Sequence, residues 1–118
     1  MTDYTGDDIY CDLILPGLLP VERVLETETV LAFHHTRPFW PVHIVVIPKR
    51  HIASLLEVDS QSSDMGDLML AIQIVSQQVL EEHGAVAAQT HLGRYQDSRH
   101  LHWHVHSGPP LNGAGNEP

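Results

Sequence analysis

Hydrophobic and polar positions change their period along the chain, and each change marks an element. Residues 23–26 ("RVLE") and 30–33 ("VLAF") are short β-prone runs joined at "TET", which predicts a hairpin. Residues 42–51, "VHIVVIPKRH", carry a β-branched run that must end as a central strand at Pro48, whose ring leaves no amide hydrogen to donate. From Asp59, read as an N-cap, to Gly84, read as a C-cap, the residues Met65, Leu68, Met69, Ile72, Val75, Val79 and Leu80 recur at the three-and-four spacing of an amphipathic helix. Residues 85–90 ("AVAAQT") then predict a strand and residues 91–98 ("HLGRYQDS") a loop. In residues 100–106, "HLHWHVH", the period is two, so a strand turns His100, His102, His104 and His106 to one face and Leu101, Trp103 and Val105 to the other. Ahead of all these, residues 6–17 ("GDDIYCDLILPG") begin with carboxylates, group Ile9, Leu13 and Ile14, and stop at Pro16-Gly17, which predicts a short helix.

The order β-β-β-α-β-β after a short leading helix predicts an α+β domain: an antiparallel sheet of about five strands with one long helix packed on it. If that helix covers one face, the histidines occupy the other. A chain of 118 residues suits one domain. Its expected organisation is a flexible N-terminus over 1–8, the folded domain over 9–108, and an irregular tail over 109–118, where Gly, Pro and Asn dominate. No internal repeat is visible.

Composition narrows the partners. Six Lys plus Arg stand against fifteen Asp plus Glu, a net charge of −9, which repels a phosphate backbone and excludes polymeric nucleic acid from the expected partners. A small phosphorylated ligand stays open, because imidazoles in a pocket donate hydrogen bonds to phosphate oxygens. No apolar run approaches the ~20 residues a membrane span needs. The opening "MTDYTGDDIY" lacks a basic segment followed by an apolar one, and the single Cys11 cannot form an intramolecular disulfide, so a cytoplasmic location is expected.

The four histidines in register admit three readings. Side chains at i and i+2 on a strand stand ~6.6 Å apart and the first and third ~13 Å apart, so a metal site would use two of them plus a ligand such as His34, His43 or Asp97. A packing role must find partners for every imidazole, each unsatisfied one costing ~1–3 kcal/mol. A catalytic role would use one neutral imidazole as a nucleophile and its neighbours as hydrogen-bond donors to developing oxyanion charge.

With Gln96 just ahead of it, "GRYQDSRHLHWHVHSG" resembles the signature of the histidine triad (HIT) family, His-φ-His-φ-His-φ-φ with φ apolar, nearest to the Hint-like phosphoramidase branch. The resemblance extends upstream through "VLAFHHTRPFWPVHIVVIPKRHI" and spans roughly residues 10–108. It implies that His102 is the nucleophile that attacks an α-phosphate and forms a nucleotidyl-histidine. It also implies that His104 and Gln96 contact phosphate, that His100 orients the centre, and that His43 supports it from the adjacent strand. Phe33 and Ile14 fall at the nucleoside pocket, with Tyr10, Cys11 and Val45 bordering it. The activity so implied is metal-independent hydrolysis or transfer of nucleotidyl groups from nucleoside phosphoramidates or dinucleoside polyphosphates. No cofactor is expected, the partner is a small nucleotide, and the assembly is a homodimer. A catalytically weak HIT-fold nucleotide sensor is the alternative, and a metal-dependent enzyme comes third.

Four departures from the family pattern bear on substrate. His35 replaces an Asp that binds the ribose hydroxyls and can accept only one hydrogen bond in its place. Asp97 replaces a Ser after the Gln, and a carboxylate at a phosphate-binding position repels phosphate unless it faces a cation, takes a proton or points away. His91 lies close to a usual Asn, and His106 occupies a φ position. The Cys-x-x-Cys of zinc-containing members is reduced to Cys11, which argues against a structural zinc. Among the other residues, Phe39 and Trp40 suit packing better than a pocket cap, and Lys49 and Arg50 suit a surface turn. Arg37 is open between a solvated loop and a phosphate contact.

Overall fold

A computed structural model describes residues 4–111. The strands are β1 (Arg23–Glu26), β2 (Val30–His34), β3 (Val42–Pro48), β4 (Ala87–Thr90) and β5 (Trp103–Ser107), and the one long helix is α1 (Ser63–His83). The strands form a single sheet in the order β1-β2-β3-β5-β4, and every neighbouring pair is antiparallel. The α+β architecture expected from the periodicity is the one observed. Among the described residues, no helix is long and apolar enough to cross a membrane.

β3 lies inside the sheet and is covered on both sides, which is why its sequence is a continuous β-branched run rather than an alternating one. Ile44 and Val46 face α1 and pack with Val30, Ala32 and Val105 of the sheet against Leu68, Ala71, Ile72, Val75 and Val79 of the helix. Val45 and Ile47 face the other way, into a second cluster with Leu31, Phe33, Tyr10 and Ile14. The helix therefore takes one face of the sheet. A five-residue π-helical turn at Tyr10–Ile14 takes part of the other.

Several boundaries differ from the sequence reading, each for a physical reason. α1 starts at Ser63 rather than just after Asp59. Asp59 closes the preceding turn, accepting from the Gln61 amide at 2.9 Å through Oδ1 and from the Ser62 amide and hydroxyl through its carbonyl. Gly84 ends the helix as expected, at φ 78°, a left-handed conformation that suits glycine. Met69 and Leu80, expected in the buried stripe, are 37% and 45% exposed, because the stripe that meets the sheet runs through Leu68, Ala71, Ile72, Val75 and Val79. β4 begins at Ala87 rather than residue 85, since the Ala85 carbonyl is taken by the Ser107 hydroxyl at 2.7 Å.

The strand expected over residues 100–106 is β5, Trp103–Ser107. Val46 pairs with Trp103, so two steps further along the register the neighbour would be Pro48, which has no amide to donate. The chain instead sends the Leu101 amide to the Ile52 carbonyl at 2.7 Å. The short N-terminal helix shrinks to the Tyr10–Ile14 turn, capped by Asp8, whose Oδ1 accepts from the Tyr10 and Cys11 amides at 3.1 and 3.0 Å. Residues 4–8, expected to be loose, are held: Asp8 is buried, and the Asp7 carbonyl accepts from the Arg99 amide. Residues 1–3 of that segment and 112–118 of the expected tail lie outside the described residues.

Candidate active site

On the sheet face away from α1, a cleft of about 640 Å3 opens beside the Tyr10–Ile14 turn. Tyr10, Ile14, Phe33 and Val45 supply its apolar wall, and His35 and Asp97 border it with polar groups. This volume suits a small-molecule ligand. Phe33 and Val45 reach it because they stand opposite each other on β2 and β3, and Tyr10 closes over them with its ring 6.1 Å from that of Phe33.

Beside the cleft, hydrogen bonds decide which nitrogen of each imidazole carries a proton. The Phe39 amide can only donate, and it gives its hydrogen to His43 Nδ1 at 3.0 Å. His43 must then carry its proton on Nε2, which lies 2.8 Å from His104 Nδ1. His104 Nδ1 accepts, so its Nε2–H is left as a donor. Both rings are buried on the sheet. Burial, reinforced by His35 beside His43 and His102 beside His104, lowers both pKa values to about 3 and keeps the pair neutral.

His102 is held differently. Its Nδ1 lies 2.7 Å from the His100 carbonyl, so that nitrogen carries a hydrogen and Nε2 is the one turned outward. Its ring packs against Tyr10 at 5.1 Å and edge-on to His104 at 5.1 Å. Asp97 Oδ1 lies 3.1 Å from His102 Nε2 and covers it: the His102 side chain is 2% exposed, that of Asp97 81%. The hydrogen bond from His102 holds the Asp97 carboxyl below its ordinary range. His100 is fully buried, its Nε2 donating to the Pro48 carbonyl at 2.7 Å.

The sequence model of the HIT domain matches residues 18–110. The chain belongs to the histidine triad (HIT) family. A HIT-like protein of Synechococcus elongatus, described as uncharacterized, is 37% identical over 108 residues, 90% of this chain and 95% of that one. A solved HIT family hydrolase from Clostridium thermocellum superposes with a TM-score of 0.72 at 27% identity, covering 92% of this chain and 96% of the other. A histidine triad nucleotide-binding protein from Sulfolobus tokodaii, described as hypothetical, gives 0.74 at 26%, covering 87% and 72%. The fold is thus that of HIT hydrolases and nucleotide-binding proteins.

Measured against the HIT pattern, the predicted residues divide. Phe33, Ile14, Tyr10 and Val45 line the cleft together with His35, and His100, His102, His104 and His43 form one connected cluster. Gln96, expected at phosphate, instead spends its amide hydrogens on the Ala53 and Ser98 carbonyls at 2.6 and 2.8 Å, because the tight turn at Gly93–Tyr95 aims it back at the chain. Asp97 faces His102 instead of standing free to meet a phosphate. His35 has its accepting nitrogen occupied: the Arg37 amide donates to Nδ1 at 2.9 Å, so the ring offers the cleft an N–H donor and no acceptor. Burial lowers its pKa, which keeps that neutral form.

The remaining histidines build the surround. His106 stacks on Trp40 with ring centroids 3.5 Å apart and donates to Gln89 Oε1 at 2.8 Å. Gln89 in turn donates to His91, whose ring lies 5.2 Å from that of His104. Trp40 also meets His43 edge-on, so it packs as expected rather than capping the cleft. Lys49 and Arg50 pair with Glu26 and Asp64 at the surface. Arg37 borders the cleft.

Asp8 and His51 escaped the sequence reading. Asp8 Oδ2 lies 3.1 Å from His100 Nδ1 and 2.5 Å from His51 Nδ1, and Cys11 Sγ sits 3.4 Å from His100 Nδ1. Cys11 therefore belongs to this cluster and not to the nucleoside pocket. Burial opposes the charge on Asp8, but hydrogen bonds from Cys11 and His100 outweigh it and hold the carboxyl below its usual range. Burial and the neighbouring Asp8 push the Cys11 thiol up to about 11. One donor atom from each of Asp8, Cys11, His51 and His100 lies within 4.8 Å of the others, the spacing a metal site would need. The signal was available in "DIYC": counting thiols alone left Cys11 single, whereas the position three residues before it carries a carboxylate.

Proposed function

We propose that this chain is a nucleotide hydrolase or nucleotidyl transferase acting at an α-phosphate, with His102 Nε2 as nucleophile and a nucleotidyl-histidine as intermediate. The observation that carries this reading is the fixed tautomers. The His100 carbonyl leaves Nε2 as the reactive nitrogen of His102, and the Phe39–His43–His104 chain leaves His104 Nε2 as a hydrogen-bond donor beside it. A nucleophile and a neutral donor 5.1 Å apart, ring to ring, match what phosphoryl chemistry asks: attack on phosphorus and stabilisation of its oxygens. The cleft behind Phe33 and Ile14 accommodates the nucleoside. No metal takes part in this scheme. A homodimer in the cytoplasm belongs to the same reading, and the exposed Leu70, Ile74 and Leu80 of α1 offer apolar surface to a second copy.

His102→Ala should abolish turnover of an adenosine or guanosine phosphoramidate while leaving the circular dichroism spectrum unchanged, and a quenched wild-type reaction should show one nucleotide added to His102 by mass spectrometry. Near-wild-type hydrolysis by the variant rejects the assignment. A weakly active nucleotide sensor is the second reading, favoured by the Gln96 amide being spent on backbone carbonyls. Tight binding of nucleoside monophosphates with no turnover of any phosphoramidate or dinucleoside polyphosphate would select it.

A further inference from the structure

His35, Thr36 and Arg37 follow one another along the border of the cleft, all three line it, and none takes part in the chemistry at His102. The Arg37 amide donates to His35 Nδ1 at 2.9 Å, so the His35 proton sits on Nε2 and that nitrogen can only donate. Two further contacts hold the residue in place. Its amide continues the sheet ladder to the His43 carbonyl at 2.9 Å, and its ring stacks on that of His43 with centroids 4.4 Å apart. Arg37 is the one Lys or Arg among the residues lining the cleft, and among the described residues it pairs with no carboxylate, unlike Arg23, Lys49 and Arg50. Its guanidinium adds donors and no acceptor.

The place of these residues decides which part of a nucleotide meets them. His35 follows Phe33 of the apolar wall by two residues of extended chain, on the same face, while its ring lies 6.3 Å from that of His104, the donor at the reacting end. Between a wall that takes the base and a donor that takes the α-phosphate lies the sugar. A ribose with free hydroxyls needs acceptors for their hydrogens, and His35 and Arg37 supply none. A phosphate ester on the sugar brings negative charge and three acceptor oxygens, which an imidazole N–H and a guanidinium fork match, and the Thr36 hydroxyl can donate to them too. The carboxylates of the cleft stand on another strip. Asp97 faces His102 Nε2 at 3.1 Å, and Asp7 lies beside the same segment, its carbonyl accepting from the Arg99 amide.

We propose that His35, Thr36 and Arg37 form a second anion site, which receives a phosphate carried on the sugar, and that the nucleotide unit bound in this cleft is of the nucleoside 2′,5′- or 3′,5′-bisphosphate class. The proposal rests on the nucleotide reading given above and narrows its substrate. The 5′-phosphorus meets His102 and His104, and the sugar phosphate meets the His35 Nε2–H and the Arg37 guanidinium. The 2′ and 3′ isomers share this chemistry, and binding distinguishes them.

The test is calorimetric titration of the full chain with AMP, adenosine 2′,5′-bisphosphate and adenosine 3′,5′-bisphosphate, repeated with the guanosine series. Wild type should bind one of the bisphosphates about tenfold or more tightly than the matching 5′-monophosphate, the worth of a hydrogen bond to a charged group. The favoured isomer shows which hydroxyl carries the phosphate. In Arg37→Gln the preference should shrink to within about threefold, and in Arg37→Lys, which keeps the charge without the fork, it should fall between the two. Arg50→Gln removes an equal charge at the surface, where Arg50 pairs with Asp64, and should keep the full preference. No preference in wild type, or one that survives in Arg37→Gln, would overturn the proposal and leave the nucleotide reading standing. An equal loss in both Gln variants would reduce the preference to net charge and overturn the proposal as well. A wild-type chain that binds none of these nucleotides would instead remove the nucleotide reading, and the proposal with it.

Discussion

Lowering the pH from 7 toward 4.5 should destabilise this domain steeply, and the cause is the buried His43–His104 pair. Both imidazoles have an ordinary pKa of 6.5, and both are depressed to about 3 in the folded chain. Below pH 6.5 the unfolded chain therefore binds two protons that the folded chain refuses, until the pH reaches about 3 and the folded rings protonate as well. Stability present above pH 6.5 is lost across that window. Each proton is worth about 1.4 kcal/mol per pH unit, so the pair gives a slope of about 2.7 kcal/mol per unit, or about 5 kcal/mol between pH 6.5 and 4.5. That equals the lower end of the stability of an ordinary domain, about 5–15 kcal/mol. Asp8 and Asp97, both depressed below the ordinary 3.8, act in a lower window: the stability they contribute is lost only as the pH falls through about 4 and below. Urea midpoints measured from pH 7.5 to 4.5 report the slope directly. In His43→Gln a carboxamide hydrogen can still reach His104 Nδ1 while one titrating group is gone, so the slope should fall by about one proton. A wild-type stability that stays flat between pH 6.5 and 4.5, or a variant with an unchanged slope, would refute the reasoning.

Other perturbations separate the two faces of the sheet. Leu68, 2% exposed between α1 and the sheet, should cost about 2–5 kcal/mol when cut to Ala, whereas Leu56, 78% exposed ahead of that helix, should change the stability measured in urea by no more than about 0.5 kcal/mol. Asp8→Ala removes the carboxylate that accepts from two backbone amides and that the rings of His51 and His100 contact. It should cost about 2–4 kcal/mol in chemical denaturation, with increased hydrogen exchange at Tyr10 and Cys11. His35→Asp puts an acceptor back at the cleft. Calorimetric titration should show wild type binding AMP and its 2′,3′-dideoxy analogue within about threefold, and the variant favouring AMP by about tenfold, the worth of one good hydrogen bond. Equal ratios in the two proteins would show that His35 does not meet the sugar.

Periodicity alone determined the sheet, the long helix and the separation of the two faces of "HLHWHVH", because a side chain's direction follows from covalent spacing at period two or 3.6. The spacing also placed the helix end, since Gly84 needs only its own backbone to adopt a left-handed turn. The triad pattern with Phe33 and Ile14 upstream was enough to locate the cleft and its histidines. Tertiary structure decided what those histidines can do. Which nitrogen of His104 donates depends on His43, 61 residues away, and what anchors His100 depends on Asp8, 92 residues away. Gln96 turned from phosphate because carbonyls of Ala53 and Ser98 were nearer, and Asp97 met His102 because a loop brought it there. The pattern of residue types sets which face a side chain takes, but a hydrogen bond depends on which distant atom arrives opposite it. Only the folded chain brings those atoms together.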